Sequence, residues 1–176
     1  MKPMKRRIIL IGILALALCF SVLSCARRDK AVPTAGETPE DAPRVTLYGA
    51  VYALDPDGDT VTLCAFESPD ATSFTILERV EGREVKAIAS GAFAGMTELA
   101  ELVLPKSIKQ IRNSAFAGAS NLQSVFYTGD EELWEDLIIA SGNEPLRNAQ
   151  IYYYSKEAVD RGDAYWHYVK GVPTLW

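Results

Sequence analysis

Side chains able to do chemistry are few here. His167 is the only histidine, and Cys19, Cys25 and Cys64 are the only thiols. A zinc site needs four such ligands and a nucleophilic thiol needs a base beside it. Cys64 has no His or basic cluster near it in sequence, and between Leu63 and Ala65 it reads as a small buried hydrophobe. Asp55, Asp57 and Asp59 occupy positions 1, 3 and 5 of a possible calcium loop. Yet position 6, where such loops need Gly, is Thr60, and position 12 is Phe66. Pro56-Asp57-Gly58 is also an ordinary turn, so calcium is the weaker of the two readings. The phosphate-loop, dinucleotide-binding, G-x-S-x-G and H-E-x-x-H patterns are absent. Carboxylates are numerous enough for a glycosidase pair, but they fall in turns, a polar tether and solvent-facing positions. The expectation is no catalytic residue, no cofactor and no enzyme.

Cys25 belongs to a different chemistry. Lys2, Lys5, Arg6 and Arg7 form a basic start, Ile8 to Leu23 is apolar apart from Gly12 and Ser21, and Val22-Leu23-Ser24 precedes the thiol. A basic start, an apolar run and a small residue before a cut are the marks of a secretory signal. With Cys25 next, the segment resembles the lipobox of a bacterial lipoprotein. That resemblance implies cleavage before Cys25 and a diacylglycerol on its sulfur, holding the protein to the outer side of the cytoplasmic membrane. The other reading is a plain membrane span, for which this run is somewhat short of the ~20 residues needed. Removing residues 1–24 takes four cations and no acid, so the formal charge moves from −5 to about −9. Such a body excludes nucleic acid as a partner and does not lie flat on anionic lipid. Arg27 and Arg28 read equally as headgroup contacts or as a solvated pair. Residues 25–44, with Pro33, Pro39 and Pro43, read as the lipidated Cys and a flexible tether.

The folded body is organised by a repeat. Val85 to Ser107 (VKAIASGAFAGMTELAELVLPKS) is followed by Ile108 to Asp130 (IKQIRNSAFAGASNLQSVFYTGD). Lys86, Ile88, Ala92, Phe93, Ala94, Gly95 and Leu99 recur 23 residues on as Lys109, Ile111, Ala115, Phe116, Ala117, Gly118 and Leu122. A period in this range with spaced Leu and Ile predicts a solenoid whose coils must stack, since one coil cannot close its own core. Alternation predicts short strands at Glu101–Leu104 and Ser124–Tyr127, with Leu102, Leu104, Val125 and Tyr127 inward. The Ser90–Gly95 connector places Phe93 to plug the space between coils.

The motif A-F-x-G-x-x-x-L-x-x-[LV]-x-[LY] preceded by I-x-x-I, with Leu104-Pro105-Lys106-Ser107-Ile108, resembles the BspA-like (Treponema pallidum-type) leucine-rich repeat of microbial surface proteins. Ala89, Arg112, Met96 and Ala119 depart from the Gly and Cys usual in that family, and small or apolar residues can stand in for them. The resemblance spans about residues 60–155 and implies a binding module, without naming a ligand.

The fold class expected is mainly β with short helical or turn connectors. It is a short leucine-rich solenoid with an N-terminal β-hairpin and a C-terminal cap. Residues 45–84 hold the hairpin (Val45–Leu54 with Thr60–Phe66) and an opening repeat, 85–130 the two repeats, and 131–176 the cap and an aromatic tail. Asp130 with Glu131 and Glu132 predicts a short helix. If alternate strand residues face in, Glu101, Val103, Ser124 and Phe126 face out as a candidate binding patch. Cover by a flanking segment is the competing reading. Partners are an unknown protein or glycan, plus the membrane through the lipid on Cys25. An envelope assembly component is the alternative function, and a wall-glycan enzyme a remote one.

Overall fold

The computed structural model of the chain describes residues 39–158 and 164–176. Cys25 and the apolar run before it lie outside the described residues. β1 (Arg44–Leu47), β2 (Ala50–Leu54) and β3 (Thr60–Phe66) form an antiparallel meander. The expected single strand Val45–Leu54 is broken at Tyr48–Gly49. Their φ values of 51° and 76° give the left-handed two-residue turn that matches the twist of paired strands.

From β3 the chain winds. It passes through β4 (Ser73–Thr75), β5 (Arg79–Val80), β6 (Arg83–Ile88), β7 (Glu101–Leu104), β8 (Gln110–Ile111) and β9 (Ser124–Tyr127). Helix α1 (Glu131–Glu135), β10 (Ile138–Ile139), helix α2 (Glu144–Asn148) and β11 (Gln150–Tyr154) follow, and β12 (Tyr165–Val169) and β13 (Val172–Leu175) close the chain as a hairpin. β3, β6, β8 and β10 pair in parallel as one wall, and β4, β7, β9 and β11 pair in parallel as the other. The segments on either side of the two legible repeats thus supply further coils. They escape the repeat pattern because their connectors differ in length and sequence.

The core lies between the walls. Leu102 sits opposite Val125 and Leu104 opposite Tyr127, each pair one repeat apart, and all four are fully buried. The rings of Phe93 and Phe116 stack with centroids 4.8 Å apart and planes 6° apart. Phe74 and Phe66 extend the row, at 5.9 Å and 6.1 Å from Phe93. Backbone bonds follow the same row. Phe66 N–H donates to Ala92 O at 3.1 Å and Phe93 N–H to Ala115 O at 2.8 Å.

At the next step the main-chain acceptor is replaced by a side chain. Phe116 N–H donates to Asn143 Oδ1 at 3.0 Å, while Asn143 Nδ2 donates to Arg112 O at 2.9 Å and Ala140 O at 3.0 Å. Asn143 is fully buried, so this amide terminates the row that backbone carbonyls supply elsewhere. Gly142 precedes it at φ 76°, a conformation L side chains rarely adopt, and a Cβ there would also press on Ser114 Cα at 3.3 Å. α1 begins at Asp130, whose carboxylate accepts from Leu133 N–H at 2.9 Å.

Asn143→Leu keeps the bulk and strands the Phe116 N–H in the core. It is expected to lower stability by about 1–3 kcal/mol in urea melts, and Asn143→Asp by at least as much, because a buried carboxylate would face the Arg112 and Ala140 carbonyl oxygens. A loss within error for the Leu variant would remove Asn143 from this role.

Candidate functional site

The outer face of the second wall is built in rows. Ser73, Glu101, Ser124 and Gln150 stand side by side in one row, and Thr75, Val103, Phe126 and Tyr152 in another. Glu101 is exposed and Ser124 half-buried. Val103 and Phe126 are only 6% and 8% exposed, so of the two readings of this face it is cover by a flanking segment that the structure shows at these two residues, and not a Phe and a Val open to solvent.

The cover is the C-terminal hairpin. Trp166 is fully buried, with its ring 5.5 Å from Phe126 and 5.3 Å from Tyr154, and its indole N–H donates to Tyr127 O at 2.9 Å. Tyr152 stacks on Phe126 at 5.3 Å. The hairpin is formed by a Lys170–Gly171 turn at φ 52° and 83°. At its base Trp176 packs on His167 at 3.7 Å and donates its indole N–H to Ser155 O at 3.2 Å. His167 is therefore part of an aromatic clasp.

The hairpin leaves part of the face open. Beside its tip is a cleft of about 530 Å³ lined by Tyr48, Phe66, Phe74, Val103, Val172 and Pro173, with Ser73, Thr75 and Glu101 as its polar residues. Tyr48 is 83% and Val172 61% exposed, so both stand at its mouth. Of the four residues predicted to form the face, the cleft takes Glu101, Val103 and Phe126; Ser124 is not among its lining. Tyr48, Ser73 and Thr75 were missed. The one sequence signal for Tyr48 was Gly49 interrupting an apolar run, which marks a turn tip.

The aspartate loop is turned on itself. Asp55 accepts from Thr60 Oγ1 at 2.8 Å and Thr62 Oγ1 at 2.6 Å. Asp57 Oδ1 accepts from Asp59 N–H at 2.9 Å and Thr60 N–H at 3.1 Å, and those backbone donors hold its carboxyl below the usual range. Among the described residues no group of three or more His, Cys, Asp or Glu is placed to hold a metal ion. On the first wall Glu84 pairs with Lys86 and, at 2.8 Å, with Arg79. The Lys86 hydrogen bond and charge lower its carboxyl pKa. Cys64 is half-buried, and burial chiefly pushes its thiol up, away from the thiolate that reactivity requires.

Residues 60–133 match the family profile described as BspA type leucine rich repeat region (6 copies). No curated protein gives a match. Among solved structures, a leucine rich repeat protein of T. pallidum is 21% identical, covering 49% of this chain and 44% of that one, with a TM-score of 0.43. A leucine rich cell surface protein of Faecalibacterium prausnitzii A2-165 is 18% identical, covering 60% of this chain and 28% of that one, with a TM-score of 0.47. This chain spans less than half the length of either.

Trp166→Ala is expected to cost about 3–5 kcal/mol in urea melts. A loss below about 1 kcal/mol would mean the hairpin does not seal the face. A second test uses pH. Burial, followed by the Asp130 and Asp136 charges, pushes the Tyr127 hydroxyl from its ordinary 10 up to about 12. The folded chain keeps a proton that the unfolded chain gives up. This stabilisation is complete below pH 10 and is lost as pH rises towards about 12. Circular dichroism should stay flat up to pH 10 and fall above it, less so in Tyr127→Phe. An identical fall in the variant would clear Tyr127.

Proposed function

We propose that this chain, whose residues 60–133 are a BspA-type leucine-rich repeat region, is a lipid-anchored binding module outside the cytoplasmic membrane. Its partner is a protein or a glycan. The observation that carries the reading is the second wall, where stacked coils hold side chains in registered rows with a partly covered apolar cleft between hairpin and coil. Such a surface is suited to recognition. Leucine-rich repeat proteins are in general binding modules. Anchoring rests on the signal-like segment and Cys25. No helix among the described residues is long and apolar enough to cross a membrane.

A second reading, an assembly component docking a neighbour end-on, is favoured by one observation. β10 is the terminal strand of the first wall, and its Ile138 is 62% exposed.

Two measurements test the proposal. Cys25→Ser should move the protein from the membrane to the soluble fraction, and a variant that stays membrane-bound contradicts the lipid anchor. The full chain in detergent should retain an envelope polypeptide or glycan saturably, and lose it on unfolding. Absence of saturable retention contradicts the binding module. A solution mass that shows a stable homo-oligomer would favour end-on assembly.

A further inference from the structure

The two walls end unevenly at the first coil. Among the described residues the first wall continues beyond β3 with β2 and β1, whereas the second wall stops at β4. On its paired side β4 is satisfied: Thr72 O accepts from Glu101 N–H at 3.1 Å and Ile76 N–H donates to Val103 O at 3.0 Å. In a parallel pair, alternate residues turn their backbone groups to the neighbour. With Thr72 and Ile76 facing β7, Ser73 and Thr75 direct N–H and C=O to the unpaired side. Both residues are exposed, and both line the cleft of about 530 Å³.

Sheet edges in native proteins are normally blunted by charge, proline, brevity or cover. The other edges here follow that rule. β1 follows Pro43 and begins with Arg44, β10 has two residues, and β13 contains Pro173. Ser73-Phe74-Thr75 is short, at three residues, but has neither charge nor proline, and it lines a largely apolar cleft.

We propose that the β4 edge takes an extended segment of a partner polypeptide as an added strand. The segment would carry apolar side chains at alternate positions and a basic residue facing Glu101. This deepens the binding-module reading and rests on it. Backbone donors and acceptors that recur every two residues, about 6.6 Å apart, are complementary to extended polypeptide and not to a sugar ring. Alternate side chains of an added strand point to opposite faces. One set lies on the side of Phe74 and Phe66, and the other on the side of Ser73 and Thr75, with Tyr48 and Val172 at the cleft mouth. Charge selects the flank, because among the described residues Glu101 is the one charged residue lining the cleft, and the loop into β4 adds Glu67 and Asp70.

The test uses the full chain in detergent with a synthetic peptide of alternating Val and Thr and a Lys at each end. A second peptide is N-methylated at alternate residues. The readout is amide hydrogen exchange at Ser73 and Thr75. The Lys-flanked peptide should slow both amides at least about tenfold at saturation, as a newly paired edge requires, and the N-methylated one should not. Glu101→Lys should weaken binding about fivefold. Thr75→Pro, which an edge strand tolerates, should abolish the protection read at Ser73, since proline itself has no amide hydrogen. If that variant fails to fold, the N-methylated peptide carries the same test on the native protein. No protection by millimolar peptide, while envelope partners are still retained, would overturn the β4 site and leave the binding module standing. Failure of both would overturn both. Protection appearing at Ile138 instead, or growing with protein concentration and no peptide, would also overturn the proposal, the latter in favour of a second copy.

Discussion

The structure depends on one constraint: no coil can close its own core. A coil of about two dozen residues has too little interior to bury its apolar side chains alone, so each must find its missing wall in the next. The Phe93–Phe116 stack, with rings 4.8 Å apart and almost parallel, is where that constraint is met most directly. The same turns are joined by main-chain bonds, so ring stacking and backbone pairing enforce a single register.

The ends follow from the same constraint. A stack of coils leaves an open coil at each end, and each end is closed by a different device. At the C-terminal side Asn143 supplies through its side chain the acceptor that a further coil would have offered Phe116, with two donors returned to neighbouring carbonyls. At the N-terminal side β1 and β2 extend the first wall alone. Among the described residues the second wall is left with a bare edge, and the cleft lies there. Function, on this account, is found where the closure of the solenoid is incomplete.

The sequence revealed what repeats and concealed what happens once. Phe93 and Phe116, Leu102 and Val125, and Leu104 and Tyr127 were legible because one period places like residues in like environments. The alternation of β7 and β9 assigned their inward residues for the same reason. The fate of Val103 and Phe126 was not legible, since it depends on Trp166, some forty residues beyond Phe126 and on no repeat. Local alternation reports which side of a strand a residue faces, and it cannot report what later folds over that side. Tyr48 was hidden because a turn between two apolar strands looks like one longer strand until its glycine is given a positive φ. Helix α2 was missed because it is a single short turn, capped by Asn143 and with Pro145 in its first turn.

The central claim is that neighbouring coils are held as one cooperative body by the phenylalanine row. A double-mutant cycle of Phe93→Ala and Phe116→Ala, read by urea unfolding, tests it most directly. Each single variant should lose about 3–5 kcal/mol, and the pair should show a coupling of about 0.5–1.5 kcal/mol within a single two-state transition. Losses below about 1 kcal/mol, additive effects, or separate transitions for the two coils would contradict the account.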